Sequence, residues 1–196
     1  MRRRELGYNT SMEKSQKTEQ IDIYDRDGNL LDYSQGRFDK REPGAYAAVA
    51  QVLIRHKDGS FLVTRRDLNK RAYPGLWEAS SGGAISAGET PQEAIARELN
   101  EETGLEATDF ELVALRHCDE QQIIFFCFYS ELDCDKDAVV LQEGETIDYA
   151  WLSREEFIDL LSSDKVLPNQ RRRFADFYRR LGLVEPGSKL ETILAQ

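Results

Sequence analysis

The segment of residues 89–105 constrains the fold of this chain more than any other part of the sequence. Thr90 is a favoured N-cap residue, Pro91 suits the first helical position, and Glu93 stands three residues after Thr90, as a capping box requires. Gly104 is typical of the residue that follows the C-terminal end of a helix. The pattern predicts a helix that begins at Pro91 and ends immediately before Gly104.

The predicted helix has an apolar face and an acidic face. Ile95 and Leu99, four residues apart, should face the core. Each helical residue turns about 100°, so Glu98, Glu101 and Glu102 project within an arc of roughly 100°. Mg²⁺ prefers carboxylate, water and phosphate oxygens. The arc therefore predicts a Mg²⁺ site, with Mn²⁺ as the alternative metal and a solvated acidic surface as the structural alternative.

Arg97 stands between two glutamates of the same helix, four residues after Glu93 and four before Glu101. It can therefore pair on the helix surface and hold a glutamate in place, with a plain surface ion pair as the alternative interpretation. The glycines before the helix, Gly83 and Gly88, are expected to shape a loop in which a side chain would crowd a ligand.

Nine positions in this region follow one fixed spacing, written G-x5-E-x7-R-E-U-x-E-E-x-G-U with U for an aliphatic residue. They are Gly83, Glu89, Arg97, Glu98, Leu99, Glu101, Glu102, Gly104 and Leu105. At ordinary residue frequencies a random window would match this spacing with a probability of roughly 10⁻⁸. The segment resembles the box of the Nudix superfamily, and the wider frame from about residue 21 to 165 agrees with that resemblance.

The resemblance implies an α+β fold, a Nudix-type α/β/α sandwich with a mixed β-sheet in which the box forms loop, helix and loop. It implies hydrolysis of a nucleoside diphosphate linked to some group X, or of a related small diphosphate. It also implies that Glu98, Glu101 and Glu102 are metal ligands, with Glu98 or a later glutamate as the general base. That later glutamate is expected before the last strand, where Glu143 and Glu145 are candidates and a solubilising loop is the alternative. The predicted catalytic residues are Glu98, Glu101, Glu102, Arg97 and Glu145.

The sequence before the box resembles the isopentenyl diphosphate isomerase branch of the superfamily, over the stretch LVTRRDLNKRAYPGLWEASSGGA. In that branch a basic pair at the positions of Arg66 and Lys70 holds the substrate diphosphate, and with Gly83 they form the predicted substrate-binding set; a charge-balancing basic loop is the alternative. The branch also carries a catalytic cysteine and a metal-binding histidine where this chain has Gly82 and Ala84. We therefore predict a hydrolase on an isomerase-like frame. The alternatives are an isomerase-like enzyme and a non-catalytic diphosphate-binding module.

The remaining sequence divides the chain into four parts. Residues 1–20 are polar and are expected to form a flexible tail, and residues 21–44 a β-hairpin with a connecting loop. Residues 45–165 should form the Nudix domain, and 166–196 a C-terminal helix and tail packed on it. Further strands are predicted at 45–55, 61–64, 110–117, 122–131 and 147–152, with further helices after Ser153 and over 169–181. The mixture of strands and helices indicates an α+β sandwich.

The composition restricts the class of partner and the compartment. A net charge of −10 argues against a nucleic-acid-binding surface, and no apolar stretch approaches the roughly 18 residues of a membrane-spanning helix. Three cysteines without paired spacing fit a reducing cytoplasm. A small-molecule diphosphate is the expected partner, and a homodimer is left open. An interface, a nucleotide contact and a solvated face are left open for the C-terminal arginines: Arg171, Arg172, Arg173, Arg179 and Arg180.

Overall fold

The computed structural model describes residues 19–195, in which nine strands form one sheet with helices on both faces. Apart from residues 19 and 20, the predicted tail lies outside the described part of the chain. Every helix within residues 19–195 is too short or too polar to cross a membrane. The strands are β1 (Gln20–Tyr24), β2 (Leu30–Gly36), β3 (Tyr46–His56), β4 (Phe61–Arg66), β5 (Trp77–Glu78), β6 (Ser81–Ala84), β7 (Glu111–Cys118), β8 (Ile123–Leu132) and β9 (Thr146–Leu152).

Strand β3 is the centre of the sheet, because it pairs antiparallel with β1, β4 and β6 and parallel with β8. Its pairing with β8 runs from Ala47 opposite Ile123 to His56 opposite Leu132. Strand β7 lies beside β8, while β5 and β9 pair with β4. The predicted hairpin is confirmed as β1 paired with β2, and the five further predicted strands match observed strands within two residues at each end.

The predicted helix of the box is confirmed as α1 (Pro91–Thr103), with both bonds of the capping box at Thr90. It ends at Gly104, whose left-handed backbone (φ 69°) favours glycine. Ile95 and Leu99 are fully buried and belong to the apolar layer between α1 and the sheet, as the spacing predicts. Burial of these two side chains fixes which face of α1 points away from the core.

A second apolar layer lies on the opposite face of the sheet and is rich in aromatic residues. Phe157, Phe174 and Tyr178 are fully buried in it. The helices that contribute to this layer are α2 (Arg154–Leu161), α4 (Ala175–Arg180) and α5 (Lys189–Leu194). The short helix α3 (Pro168–Arg173) lies on the same face, where its Arg173 stacks on Phe125. With α1 on one face and these helices on the other, the molecule is the α/β/α sandwich that the sequence predicts.

The single C-terminal helix predicted over residues 169–181 is wrong. The structure has α3 and α4, separated at Phe174, whose backbone angles (φ −95°, ψ 7°) depart from helical values. The two pieces have different attachments. Arg171 of α3 donates to the carbonyl oxygens of Leu161 and Ser163 at 2.9 and 2.6 Å, whereas α4 packs aromatic side chains into the core. The break lets each piece follow its own attachment.

Gln170 fastens α3 to the connection between β5 and β6. Its side chain is buried, its amide oxygen accepts a hydrogen bond from the N–H of Ala79 at 2.8 Å, and its amide nitrogen donates to the carbonyl of Ser80 at 3.1 Å. Both backbone groups lie between strands, where buried polar groups need a side-chain partner. The C-terminal region therefore supports the strand that leads into the box.

We expect Gln170→Leu to destabilise the protein, because leucine fills a similar volume but leaves two buried backbone groups without partners. The free energy of unfolding should fall by about 2–4 kcal/mol. Urea denaturation of Gln170→Leu, compared with Asn169→Leu at the exposed neighbouring position, measures the effect. Equal free energies of unfolding for the two variants would show that the amide bonds contribute nothing.

Candidate active site

The three glutamates of the acidic arc have different surroundings. Glu101 is exposed and Glu98 is half-buried, whereas Glu102 accepts a hydrogen bond from the N–H of Gly82 at 3.2 Å. Burial, reinforced by the charges of Glu78 and Glu98, raises the pKa of Glu102 to about 8. Glu102 therefore needs a nearby cation to be fully ionised at neutral pH.

Gly83 leaves room for the carboxylate of Glu98 against strand β6. A Cβ atom at Gly83 would lie 2.3 Å from that carboxylate, so a larger residue would displace it. Burial raises the pKa of Glu98, although the hydrogen bond from Arg97 opposes the shift. Gly88 differs from Gly83, because it has open space around it and shapes the loop through its left-handed backbone (φ 81°).

Arg97 joins the loop, the strand and the helix of the box. Its Nε and Nη2 donate to the two carboxylate oxygens of Glu89 at 2.8 and 3.0 Å. Nη2 also donates to the carbonyl of Ala84 at 3.2 Å, while Nη1 donates to Glu98 at 2.7 Å and to Glu101 at 3.3 Å. The predicted pairing with Glu101 is confirmed, and one guanidinium orients two glutamates of the acidic arc.

The structure corrects the other predicted partner of Arg97. Glu93 does not pair with it, because the carboxylate of Glu93 accepts hydrogen bonds from the N–H and hydroxyl of Thr90 at 2.8 and 2.7 Å. Glu89, from the loop before the helix, takes this place. Burial would raise the pKa of Glu89, but the hydrogen bonds from Arg97 and from the N–H of Ser86 together lower it. Glu89 is thus an ionised counter-ion for Arg97.

Glu78 is a residue of the site that sequence reasoning misses. It lies on β5 and accepts a hydrogen bond from Nη1 of Arg66 at 2.7 Å, with side chains 14% and 19% exposed. Burial raises the pKa of Glu78, while Arg66 opposes the rise, and its charge acts on Glu102. One local signal exists: Glu78 is the single charged residue in the stretch WEASSGGA.

Two predicted site residues from separate loops meet in the structure. Nζ of Lys70 donates to the carboxylate of Glu145, and the N–H of Asp67 donates to the carbonyl of Glu145 at 2.9 Å. Burial, followed by the charge of Arg66, lowers the pKa of Lys70. Of the two glutamates predicted for the loop before β9, Glu145 joins this ion pair and Glu143 is exposed.

The acidic residues have the chemistry of a hard-cation site but not a preformed cage. Within residues 19–195, no three acidic, histidine or cysteine side chains converge in a metal-binding arrangement. Glu102 nevertheless lies among the like charges of Glu78 and Glu98, and its raised pKa is that of a carboxylate lacking positive compensation. Mg²⁺ commonly takes one or two carboxylates and completes its coordination with water and substrate phosphate, so this donor set fits it.

The backbone at Gly82 has no room for a side chain. A Cβ atom there would lie 2.2 Å from the carbonyl oxygen of Ala50, on the neighbouring strand β3. Gly82 and Ala84 occupy the positions at which the isomerase branch is expected to carry its cysteine and histidine. The structure therefore adds a steric reason against isomerase chemistry to the absence of the two side chains from the sequence.

Two surface cavities lie away from these charged groups. One, of about 570 Å³, is lined by residues of α2 and α5, and another, of about 580 Å³, lies beside Tyr46 and Asp119. No glutamate of the box lines either cavity. We place the candidate active site at the carboxylates because groups with shifted pKa values and opposite charges converge there.

Several known proteins are similar to this chain in sequence and fold. The model of the NUDIX domain matches residues 45–177. An uncharacterized Nudix hydrolase of Listeria monocytogenes is 28% identical over 154 residues, which span 76% of this chain and 89% of that protein. An isopentenyl-diphosphate Delta-isomerase of Salmonella heidelberg is 50% identical over 54 residues, 28% of this chain and 30% of the isomerase. The similarity to the isomerase is high but confined to a short stretch.

A solved structure extends the comparison to the fold. The crystal structure of the MutT protein from Methanosarcina mazei Go1 covers 73% of this chain and 99% of its own length, with 30% identity and a TM-score of 0.56. The similarity therefore includes the sheet and its helices as well as the box.

Without divalent metal, we expect the stability of the protein to fall as the pH rises from about 4.5 to about 8. The Glu102 carboxyl ionises near 4.5 when unfolded and near 8 when folded. Across this window the folded state keeps a proton that the unfolded state has lost, so the free energy of unfolding declines. Glu102→Gln removes this ionisation. The free energy of unfolding of the variant minus that of the wild type should therefore be about 2–4 kcal/mol larger at pH 8 than at pH 4.

Urea denaturation of both proteins with a chelator, at pH 4 and pH 8, measures this difference. The comparison isolates Glu102 because the other titrating groups are common to the two proteins. A difference between variant and wild type that is the same at both pH values would contradict a raised pKa at Glu102.

Proposed function

Since the chain belongs to the Nudix family, we propose that it hydrolyses the diphosphate linkage of a nucleoside diphosphate derivative or a related small diphosphate. Mg²⁺ is the proposed cofactor, with Mn²⁺ as the alternative. The observation that carries the proposal is the buried carboxylate of Glu102, which lies among the charges of Glu78 and Glu98. Arg66 and Lys70 belong to the same electrostatic cluster and supply positive charge for a phosphate group.

Three glutamates, Glu98, Glu101 and Glu102, are proposed to hold the metal ion. Bound Mg²⁺ would neutralise charge on the diphosphate and lower the pKa of a coordinated water. Glu102 offers an enclosed oxygen and Glu101 an exposed one, so the set spans the depth of the site. Arg97 binds Glu98 and Glu101 and is proposed as a positioning residue that keeps their carboxylates oriented.

Glu98 is proposed as the general base that accepts the proton of the attacking water. Burial moves its pKa upward, toward the range in which a carboxylate accepts a proton effectively near neutral pH. Its hydrogen bond from Arg97 fixes the direction of the carboxylate. Glu145 is proposed as a positioning residue and not as the base, because its carboxylate forms an ion pair with Lys70 and would hold that ammonium group toward the diphosphate.

Arg66, Lys70 and Gly83 are proposed to bind the diphosphate. Arg66 uses Nη1 for Glu78 and Nε for a backbone carbonyl, so part of its five-donor guanidinium remains for a phosphate oxygen. Lys70 has three donors and uses one of them on Glu145. The absence of a side chain at Gly83 leaves space next to Glu98, where the phosphate and metal must meet.

Two other functions fit this site less well. An isomerase-like enzyme would need acid–base groups at Gly82 and Ala84, which have none, and Gly82 has no space for one. A non-catalytic diphosphate-binding module would not need box glutamates whose carboxylates are oriented by ion pairs with Arg97. Turnover of any diphosphate distinguishes the hydrolase from the module.

The proposed partner is a small molecule, not a nucleic acid or a membrane. A net charge of −10 supports this choice, because nucleic acids and anionic lipid surfaces would repel the protein on average. The three cysteines are free, which supports a cytoplasmic setting. A homodimer remains compatible with the proposal, and light scattering in solution would determine the oligomeric state.

A panel of nucleotide and isoprenoid diphosphates with Mg²⁺ tests the proposed reaction by product release. We expect turnover that a chelator abolishes, and we expect Glu102→Gln to lower kcat by about 100-fold or more, because it removes an enclosed metal ligand. Glu106→Gln, an exposed substitution of the same kind, should retain wild-type kcat. Undiminished activity of Glu102→Gln would remove Glu102 from the metal site.

Arg66→Ala and Lys70→Ala should mainly raise KM, because both side chains are proposed to bind the diphosphate in the ground state. The expected increase is about 10- to 100-fold for each variant, the size of a lost charge-assisted hydrogen bond. Lys57→Ala, at an exposed ion pair, is the control. Thermal melts check that Arg66→Ala, which leaves Glu78 without its ion-pair partner, is still folded. Unchanged KM in both variants would refute the diphosphate assignment.

A further inference from the structure

Arg173 is a half-buried cation without an acidic partner in the described part of the chain. It is the last residue of α3, and burial lowers the pKa of its guanidinium. Its Nε donates to the side-chain oxygen of Gln51 at 2.7 Å, and its guanidinium carbon lies 4.0 Å from the centre of the Phe125 ring. Among residues 19–195 no carboxylate forms an ion pair with it. The charge of Glu78 acts on Arg173, but Glu78 bonds to Arg66, so the Arg173 guanidinium keeps donors for a further anion.

The neighbouring arginines of α4 are different, because their charges are already paired. Arg179 binds Asp176 at 3.0 Å, and Arg180 binds Glu111 at 2.6 Å. These pairs are at least 40% exposed on both sides, as is usual for surface ion pairs of small effect. Arg173 instead donates through Nε to Gln51 and stacks on Phe125, while its two Nη groups have no bond to a residue within 19–195 and keep some accessible surface.

Gln51 connects Arg173 to the proposed active site through one strand pair. Gln51 of β3 lies directly opposite Gly82 of β6, and the N–H of Gly82 donates to Glu102 at 3.2 Å. Paired strands lie about 5 Å apart, so the side-chain partner of Arg173 and the N–H that Glu102 accepts belong to adjacent positions on neighbouring strands. The charge of Glu78 acts on both Arg173 and Glu102, which places the three groups in one electrostatic neighbourhood.

An apolar surface continues from Arg173 across the same face of the sheet. Val49 lies two residues before Gln51 and opposite both Ala84 and Phe125. Further along this face Ile123 pairs with Cys118. These side chains keep part of their surface exposed, and we call them the open sheet patch: Val49, Ala84, Cys118 and Ile123. A partly exposed apolar floor next to an unpaired cation suits a ligand that is apolar with one anionic group.

We propose that Arg173 binds an anionic substituent, a carboxylate or a phosphate monoester, on the organic group of the diphosphate substrate. The open sheet patch receives the apolar part of that group. The inference rests on the proposed function, because it concerns the substrate of the same site. Arg173 is thereby the residue that distinguishes substrates by charge at a distance from the diphosphate, while Arg66 and Lys70 bind the diphosphate itself.

Matched pairs of diphosphates that differ by one anionic group test the assignment. Dephospho-coenzyme A and coenzyme A differ by a phosphate monoester, and UDP-glucose and UDP-glucuronate differ by a carboxylate. In at least one pair, kcat/KM of the wild type should be about 10- to 100-fold higher for the more anionic member. The pair that responds identifies which anion Arg173 prefers.

Arg173→Gln should remove this preference by raising KM for the anionic member until kcat/KM is the same for both members of the pair. Glutamine can still bond to Gln51, so thermal melts should match the wild type. Arg172→Gln is the control, since it removes the same charge from the adjacent exposed position. Arg173→Lys should retain part of the preference, because lysine keeps the charge but loses the planar fork that stacks on Phe125.

Three outcomes would overturn the assignment. The wild type could show no preference in either pair, Arg173→Gln could keep the preference, or it could lower kcat equally for both members, as a merely structural residue would. If the wild type hydrolyses no diphosphate at all, the proposed function fails first. Calorimetry then still measures the affinity of the protein for the same four compounds in the presence of Mg²⁺. Equal affinities within both pairs would refute the role of Arg173.

Discussion

The guanidinium of Arg97 is the interaction on which the arrangement of the site depends. It binds both oxygens of Glu89 in the loop, the carbonyl of Ala84 at the end of β6, and the carboxylates of Glu98 and Glu101 on α1. Three elements that the sequence places side by side are thereby locked into one geometry. A lysine could not replace it, because only a planar fork donates to the loop, the strand and the helix together.

The parts of the fold that sequence reasoning predicts correctly are those specified by nearby residues. Each of these features joins residues no more than four apart: Thr90 with Glu93 in the capping box, Gly104 with Asn100 at the helix end, and the buried pair Ile95 and Leu99. The error at Glu93 has the same origin. Helical spacing makes it a neighbour of Arg97, but its carboxylate serves the cap, and a residue outside the helix takes its place. Spacing identifies possible partners, and competition for hydrogen bonds selects among them.

The parts that sequence reasoning misses depend on strand pairing between distant segments. Glu78 enters the site because β5 pairs with β4 and carries it to Arg66. In the sequence Gln51 is an ordinary strand residue, and only the pairing of β3 with β6 shows that it lies opposite Gly82. The break at Phe174, which separates two helices, likewise reflects the attachment of Gln170 in α3 to Ala79 and Ser80, far away in the sequence. The isolated charge of Glu78 is a local signal, but no local pattern encodes the strand pairings that bring these residues to the site.

The charges of the site also explain why metal and diphosphate should bind together. Acidic groups outnumber basic ones there, and Arg66, Lys70 and Arg97 are each already bonded to a carboxylate. A diphosphate arriving alone would meet a negative field and would compete with Glu78 and Glu145 for donors. A cation near Glu102 would reverse that field, and the proposed diphosphate would supply oxygens that a loosely arranged set of carboxylates lacks. Under the proposed function, each ligand would therefore increase the affinity for the other, as linkage requires. Arg173 feels the charge of Glu78 but has no bonded carboxylate to give up, so its proposed contribution to affinity depends mainly on the organic group.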